Sequence, residues 1–178
     1  MASWKGDLEK PIVSICCITY NHDKFIEETL QGFLIQLTDF PFEIIIHDDA
    51  STDFTAKIIK EYESSYPKII KTILQKENQY SKGNKPIMIL WSLCKGEYIA
   101  ICEGDDYWKD PEKLCKQISY LDSHKDIVIS SHDAIIVDEN GNTISESKLP
   151  KKHKRDYSKK ELLTSQANLL TLNWVIRK

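Results

Sequence analysis

No apolar stretch in this 178-residue chain approaches the ~20 residues that cross a bilayer. The first ten residues are polar and charged, without the apolar core of a leader peptide. Charge of one sign is missing as well: 24 Lys and Arg against 27 Asp and Glu leave a net charge of −3, with no overall electrostatic attraction for nucleic acid. Cysteines number five, an odd count, and neither they nor the five histidines show zinc-ligand spacing. Cys16, Cys17, Cys94 and Cys102 lie in apolar segments and read as small buried hydrophobes, while Cys115 falls in a helical pattern. A disulfide framework is thereby excluded, and a reducing cytoplasm is the compartment expected. Repeats and low-complexity segments are absent too. What remains, 41% apolar and 29% charged residues, is the composition of one ordinary globular domain.

Within that domain, apolar runs of strand length alternate with helical patterns. Ile12 to Ile18, Phe42 to His47, Ile69 to Leu74 and Tyr98 to Cys102 are nearly continuous apolar runs, as expected of parallel strands covered on both faces. Helical spacing joins Phe25, Ile26, Leu30, Phe33, Leu34 and Leu37, with Asn21-His22-Asp23 as capping side chains before them. Ser51, Thr52 and Asp53 precede a second helix that carries Ile58, Ile59 and Tyr62. Pro86 opens a third helix, which runs to Leu93, and Asp110-Pro111 opens a fourth that runs to about Leu121. The polar stretch 76–85 reads as a loop. Beyond, 127–131 and 134–137 read as strands, Asn140-Gly141 as a hairpin turn, and Ser158 with Glu161 as a capping box. The fold class expected is α/β with a mostly parallel sheet and helices on both faces.

In such sheets ligands bind beyond the carboxyl ends of the strands, and three polar clusters fall at three such ends. Thr19-Tyr20-Asn21 reads either as a loop into a helix cap or as an edge that contacts a base. Asp48-Asp49 reads either as acids ahead of a helix N-terminus or as acceptors for an imide N–H or a ribose hydroxyl. Glu103, Asp105 and Asp106 crowd around Gly104, a residue that permits close approach of a ligand. Three carboxylates in four residues repel one another, and a hard divalent cation, Mg²⁺ or Mn²⁺, reverses that balance. Tyr107 and Trp108 serve either as core or as walls of the site. The basic stretch from Lys148 to Arg155 reads as a solvated loop, or as a contact for an anionic lipid surface or a diphosphate.

Taken in order, Pro11 to Asn21, Ile45 to Asp53 and Gly96 to Asp106 resemble the nucleotide-binding half of a family 2 glycosyltransferase with the GT-A fold. The resemblance divides the chain into an N-terminal extension (1–10), a nucleotide-sugar-binding half (11–110) and the start of an acceptor half (111–178). It implies a nucleoside-diphosphate sugar donor, commonly uridine-linked, with Thr19, Tyr20 and Asn21 bordering the base and Asp49, with Asp48, holding it. Asp105 and Asp106 match the DXD-type motif: Asp106 would ligate Mg²⁺ or Mn²⁺, and Asp105 would contact the ribose or the metal shell. Gly104 and Lys82 would border the donor.

The resemblance also implies inverting transfer to a glycan or lipid-linked acceptor, with possible peripheral contact at the inner face of a membrane. Glu103 departs from the aspartate of many relatives and receives no ligand role. A carboxylate base would follow the segment Leu169 to Lys178, which resembles the strand that precedes it. The chain ends there, and Asp133, Asp138, Glu146 and Asp156 do not match the position. Donor binding without catalysis, in a nucleotide-sugar-binding module or a truncated fragment, is the alternative expectation.

Overall fold

The computed structural model describes Trp4, Lys5, Asp7 and residues 9–178. Strands β1 (Val13–Thr19), β2 (Phe42–Asp48), β3 (Ile70–Leu74) and β4 (Tyr98–Glu103) alternate with helices α1 (Ile26–Leu34), α2 (Thr55–Ser65) and α3 (Pro86–Leu93). All four strands are parallel, because each helix returns the chain to the same edge of the sheet. Helix α4 (Lys113–Ser123) follows, then β5 (Ile129–Ser130), β6 (Ile136–Val137), β7 (Thr143–Ser145), α5 (Lys159–Leu163) and β8 (Val175–Arg177). The central sheet has six strands in the order β3-β2-β1-β4-β8-β5, and β6 and β7 form a separate hairpin.

Alternation along β1 explains its continuous apolar run. Val13, Ile15 and Cys17 face one core with α1 and α4, while Cys16 faces a second with Leu90 of α3. Both faces are therefore dry, and each fully buried isoleucine contributes about 1.5–3 kcal/mol. The first three strands build outward from β1 on one side, and β4 is added on the other. That reversal opens a crevice at the carboxyl ends of β1 and β4, the usual ligand position in sheets of this kind. Register brings the sequence clusters together there: Thr19 pairs with Asp48, and Ile18 with Glu103.

The sequence reading differs from the structure at the edges of elements. Helix α1 begins at Ile26 with no side-chain cap, because Asn21 and Asp23 bond across to the loop before α2 instead. Leu37 lies beyond its end and is exposed. Pro111 precedes α4 without opening it: Glu112 is the cap, and Asp110 closes a turn on the Glu112 N–H. Strands expected over 127–131 and 134–137 shrink to two residues each, because only those residues find a partner strand. The capping box of Ser158 and Glu161 is present. Within the N-terminal extension, Trp4 packs on Phe42 with ring centroids 4.9 Å apart. All five cysteines are free and four are buried. No described helix is long and apolar enough to cross a membrane.

Candidate donor site at the strand ends

Thr19 closes β1 with a buried hydroxyl that has no hydrogen-bond partner. Tyr20 turns outward and is 43% exposed. Asn21 adopts a left-handed conformation (φ 56°), which asparagine tolerates better than most residues. Its backbone N–H donates to Ser51 Oγ (2.9 Å), and its side-chain carbonyl accepts from the Thr52 N–H (2.8 Å). The loops after β1 and β2 are thus tied to each other rather than left loose. Ala50, in the second loop, is also left-handed (φ 65°), and such strain clusters where surrounding contacts fix a functional loop.

Asp48 and Asp49 are buried, and each accepts hydrogen bonds on both carboxylate oxygens. Asp48 accepts from the Ser51 N–H (3.0 Å) and from the Ser51 hydroxyl. Asp49 Oδ1 accepts from the Gln79 N–H (2.7 Å) and Oδ2 from the Tyr80 N–H (3.0 Å). Asp49 therefore fastens the start of a short 3-10 turn, Tyr80–Lys82, beside the crevice. The turn presents Tyr80, 76% exposed. Lys82 pairs with Glu77. Tyr80 had no signal in the sequence, because its position depends on a bond between residues 31 apart.

The cluster after β4 is built the opposite way. Among the described residues, no hydrogen bond reaches the carboxylate of Glu103, Asp105 or Asp106, and Glu103 Oε2 is buried without a partner. The basic side chain within 4 Å of Asp105 is the imidazole of His22, whose Nδ1 lies 3.9 Å from Oδ1 and lacks a hydrogen bond. Burial, then the charges of Asp105 and Glu103, push the Asp106 carboxyl above the usual range, against the opposing pull of Lys148 and His22. Gly104 admits no side chain: a Cβ there would meet Thr19 Cβ and Oγ1 at 2.6 Å. This contact holds the β4 loop against the end of β1. The main chain is firm even where the carboxylates are not, because Thr29 Oγ1 donates to the carbonyls of Gly104 (3.1 Å) and Asp106 (2.8 Å).

Among the described residues, no group of three or more His, Cys, Asp or Glu side chains converges as a self-sufficient metal site. Mg²⁺ and its analogues, however, are commonly held by one or two carboxylates together with substrate phosphates. The carboxylates of Asp105, exposed, and Asp106, half-buried, accept no hydrogen bond from the described residues and repel each other, and they fit that donor set.

Trp108 is core: it is buried, meets Phe33 edge-on at 4.8 Å and donates from Nε1 to the Leu172 carbonyl. It also helps line a cavity of about 610 Å³ beside Asp105 and Asp106, bounded by α4 and the 130–137 segment. Asp133, in that lining, accepts from Ser147 Oγ and pairs with Lys154 at 2.6 Å. Burial alone would raise its pKa, but these bonds and the N–H groups of Leu149 and Ala134 hold it well below the carboxylate range. Asp138 is occupied within the Asn142 turn.

Comparison with known proteins identifies the family and the fold. The profile of glycosyl transferase family 2 matches residues 14–172. The chain is 43% identical over 164 residues to the Mycobacterium tuberculosis protein Rv1520, covering 92% of this chain and 46% of that protein. The structure of Staphylococcus aureus TarS 1-349 in complex with UDP superposes with a TM-score of 0.67 at 22% identity, over 93% of this chain and 46% of that one. The mannosyltransferase PcManGT from Pyrobaculum calidifontis, in complex with GDP-Man and Mn²⁺, gives 0.59 at 22% identity, over 76% of this chain and 38% of that one. The chain spans about half the length of the curated relatives it matches. The parallel strands, the switch between β1 and β4 and the shared architecture are those of the GT-A fold, and the chain belongs to glycosyl transferase family 2.

Proposed function

We propose that the crevice at the ends of β1, β2 and β4 holds a nucleoside-diphosphate sugar, with Mg²⁺ or Mn²⁺ carried by Asp106 and Asp105. The observation that carries this reading is the set of three carboxylates after β4 with no hydrogen-bond donor, at the sheet's topological switch. UDP bound to TarS and GDP-Man with Mn²⁺ bound to PcManGT support the ligand class. When bound, the cation neutralises charge on the nucleoside diphosphate leaving group.

Tyr20 offers its exposed ring to the base, and Thr19 and Asn21 set the edge beside it. Each carboxylate oxygen accepts more than one hydrogen bond, so Asp49 can take an imide N–H while it keeps Gln79 and Tyr80 in place. Asp48 holds the loop that faces them. Gly104 lets the main chain approach, and Lys82 lies on the turn that borders the donor. The unit 11–110 is the nucleotide-sugar-binding half, and 111–178 begins the acceptor half.

The whole protein, in this reading, transfers the sugar with inversion from a uridine-linked donor to a glycan or lipid-linked acceptor. Transfer of this kind serves polysaccharide biosynthesis, at the inner face of a membrane in a reducing cytoplasm, and the free thiols support that compartment. Asp133 and Asp138 are committed to structural bonds, which favours donor binding without transfer by these 178 residues alone. Calorimetric titration with UDP and GDP, each with and without Mn²⁺, tests the reading. Metal-dependent binding is expected, and D106A should abolish the metal dependence while the fold persists. Absence of metal-dependent binding to either nucleotide would sink the proposal. Sugar transfer by the chain alone would overturn the binding-only part.

A further inference from the structure

The cavity beside Asp105 and Asp106 contains a buried cation that the donor reading does not use. Lys113 is 4% exposed, yet its ammonium has no carboxylate within 4 Å among the described residues. One of its three donors reaches Gln117 Oε1 at 2.7 Å, and the Trp108 ring face lies 3.9 Å from Nζ. Gln117 is itself fixed, since its Nε2 donates to the carbonyls of Ser130 (3.1 Å) and Asn173 (3.0 Å). The amide oxygen is thereby aimed at the lysine, and the arrangement is preformed. Burying an ammonium with so few partners is costly, whereas a methionine would fill the same space without that cost.

Lys116 is neutralised by Asp110 at 2.8 Å and Glu112 at 3.1 Å, and Asp133 by Lys154. Asp105 and Asp106 belong to the proposed cation. Lys113 and the exposed Lys109 and Lys148 remain, three lysines of the lining with no carboxylate within 4 Å among the described residues, and Lys113 is the buried one.

We propose, building on the donor reading, that this cavity receives an acceptor carrying a phosphate group, which Lys113 and Lys148 bind. Lysine binds phosphate as a point charge, and a phosphate dianion gains more from neighbouring ammonium groups than a carboxylate monoanion does. Burial draws the Lys113 ammonium down to about 7, so a bound anion would also keep it charged. Phosphate at this place has two sources, the acceptor and the donor's own diphosphate, and the test separates them.

The probes are sn-glycerol 3-phosphate and glucuronate, titrated into the 178-residue chain without metal, and UDP with Mn²⁺ titrated separately. Glycerol phosphate should bind, and K113M and K148A should each weaken it by about tenfold, the loss of one charge-assisted contact. UDP with Mn²⁺ should change by less than about twofold in K113M, and in K148A by less than glycerol phosphate binding does, because Lys148 also acts on the Asp106 carboxyl. Lys148 is exposed, so K148A keeps the test decisive should K113M fail to fold. The proposal is overturned by undiminished glycerol phosphate binding in the variants, or by none in the parent chain. It also falls if glucuronate binds as well as glycerol phosphate, or if UDP affinity falls in parallel, which would assign the lysines to the donor. Failure of the donor reading is distinguishable: UDP would then not bind the parent chain with Mn²⁺, whatever glycerol phosphate does.

Discussion

Two pairs of adjacent aspartates end two strands of one sheet, Asp48-Asp49 at β2 and Asp105-Asp106 just past β4, with β1 between them. The first pair is buried and takes hydrogen bonds on both carboxylates, from Ser51, Gln79 and Tyr80. The second pair takes none, and Glu103 beside it leaves a buried oxygen unpaired. Identical chemistry at neighbouring strand ends thus has two uses. Where backbone N–H groups converge on a carboxylate, it organises loops. Where the chain supplies no donor, Asp105 is exposed to water and Asp106 half-buried, and only Glu103 Oε2 bears the cost of about 1–3 kcal/mol of a buried acceptor left unpaired. The difference gives Asp49 a positioning role and leaves the Asp106 carboxylate open for the cation proposed above.

Removing the satisfied member should break the comparison most visibly. Asp49→Ala deletes two charge-assisted bonds and frees the 79–82 turn, so a loss of about 3 kcal/mol is expected in urea unfolding. Unchanged stability would mean that the turn is held by something else. Next in size is Gly104→Ala. Its Cβ would meet the branch point of Thr19 rather than a flexible tip, so about 2 kcal/mol should be lost, with weaker nucleotide binding. Tolerance of alanine would show that the β4 loop does not rest on β1.

Smallest, and opposite in sign, is Asp106→Asn, which relieves repulsion and should leave the metal-free chain as stable or up to about 1 kcal/mol more stable. The pH dependence sharpens this contrast. A carboxyl whose folded pKa lies above its unfolded value binds more protons when folded, so its contribution to stability falls as pH rises from the unfolded pKa through the folded one. Thermal melts of the metal-free chain across that window should show a shallower decline for Asp106→Asn than for the parent. An identical slope would remove Asp106 as the strained group.

The strands were legible because continuous apolar runs such as Phe42 to His47 have one economical home, a parallel sheet covered on both faces. Helix interiors were legible for a related reason. Their ends were not: Asn21 looked like a cap, but its carboxamide serves a loop 31 residues away. The short β5 and β6 were overextended, because an apolar pattern does not reveal how much partner strand is present. His22, Tyr80 and Lys113 carried no local signal. Their places come from neighbours distant in sequence, or, for Lys113, from a cavity that only packing creates.

What the sequence by itself determined is the parallel α/β order and the three polar clusters at strand ends, since both depend on local periodicity and on side-chain chemistry. Only the tertiary structure decided which aspartates are satisfied and which are not. Hydrogen bonding depends on where distant backbone N–H groups come to rest, and the residue types at Asp48-Asp49 and Asp105-Asp106 are the same.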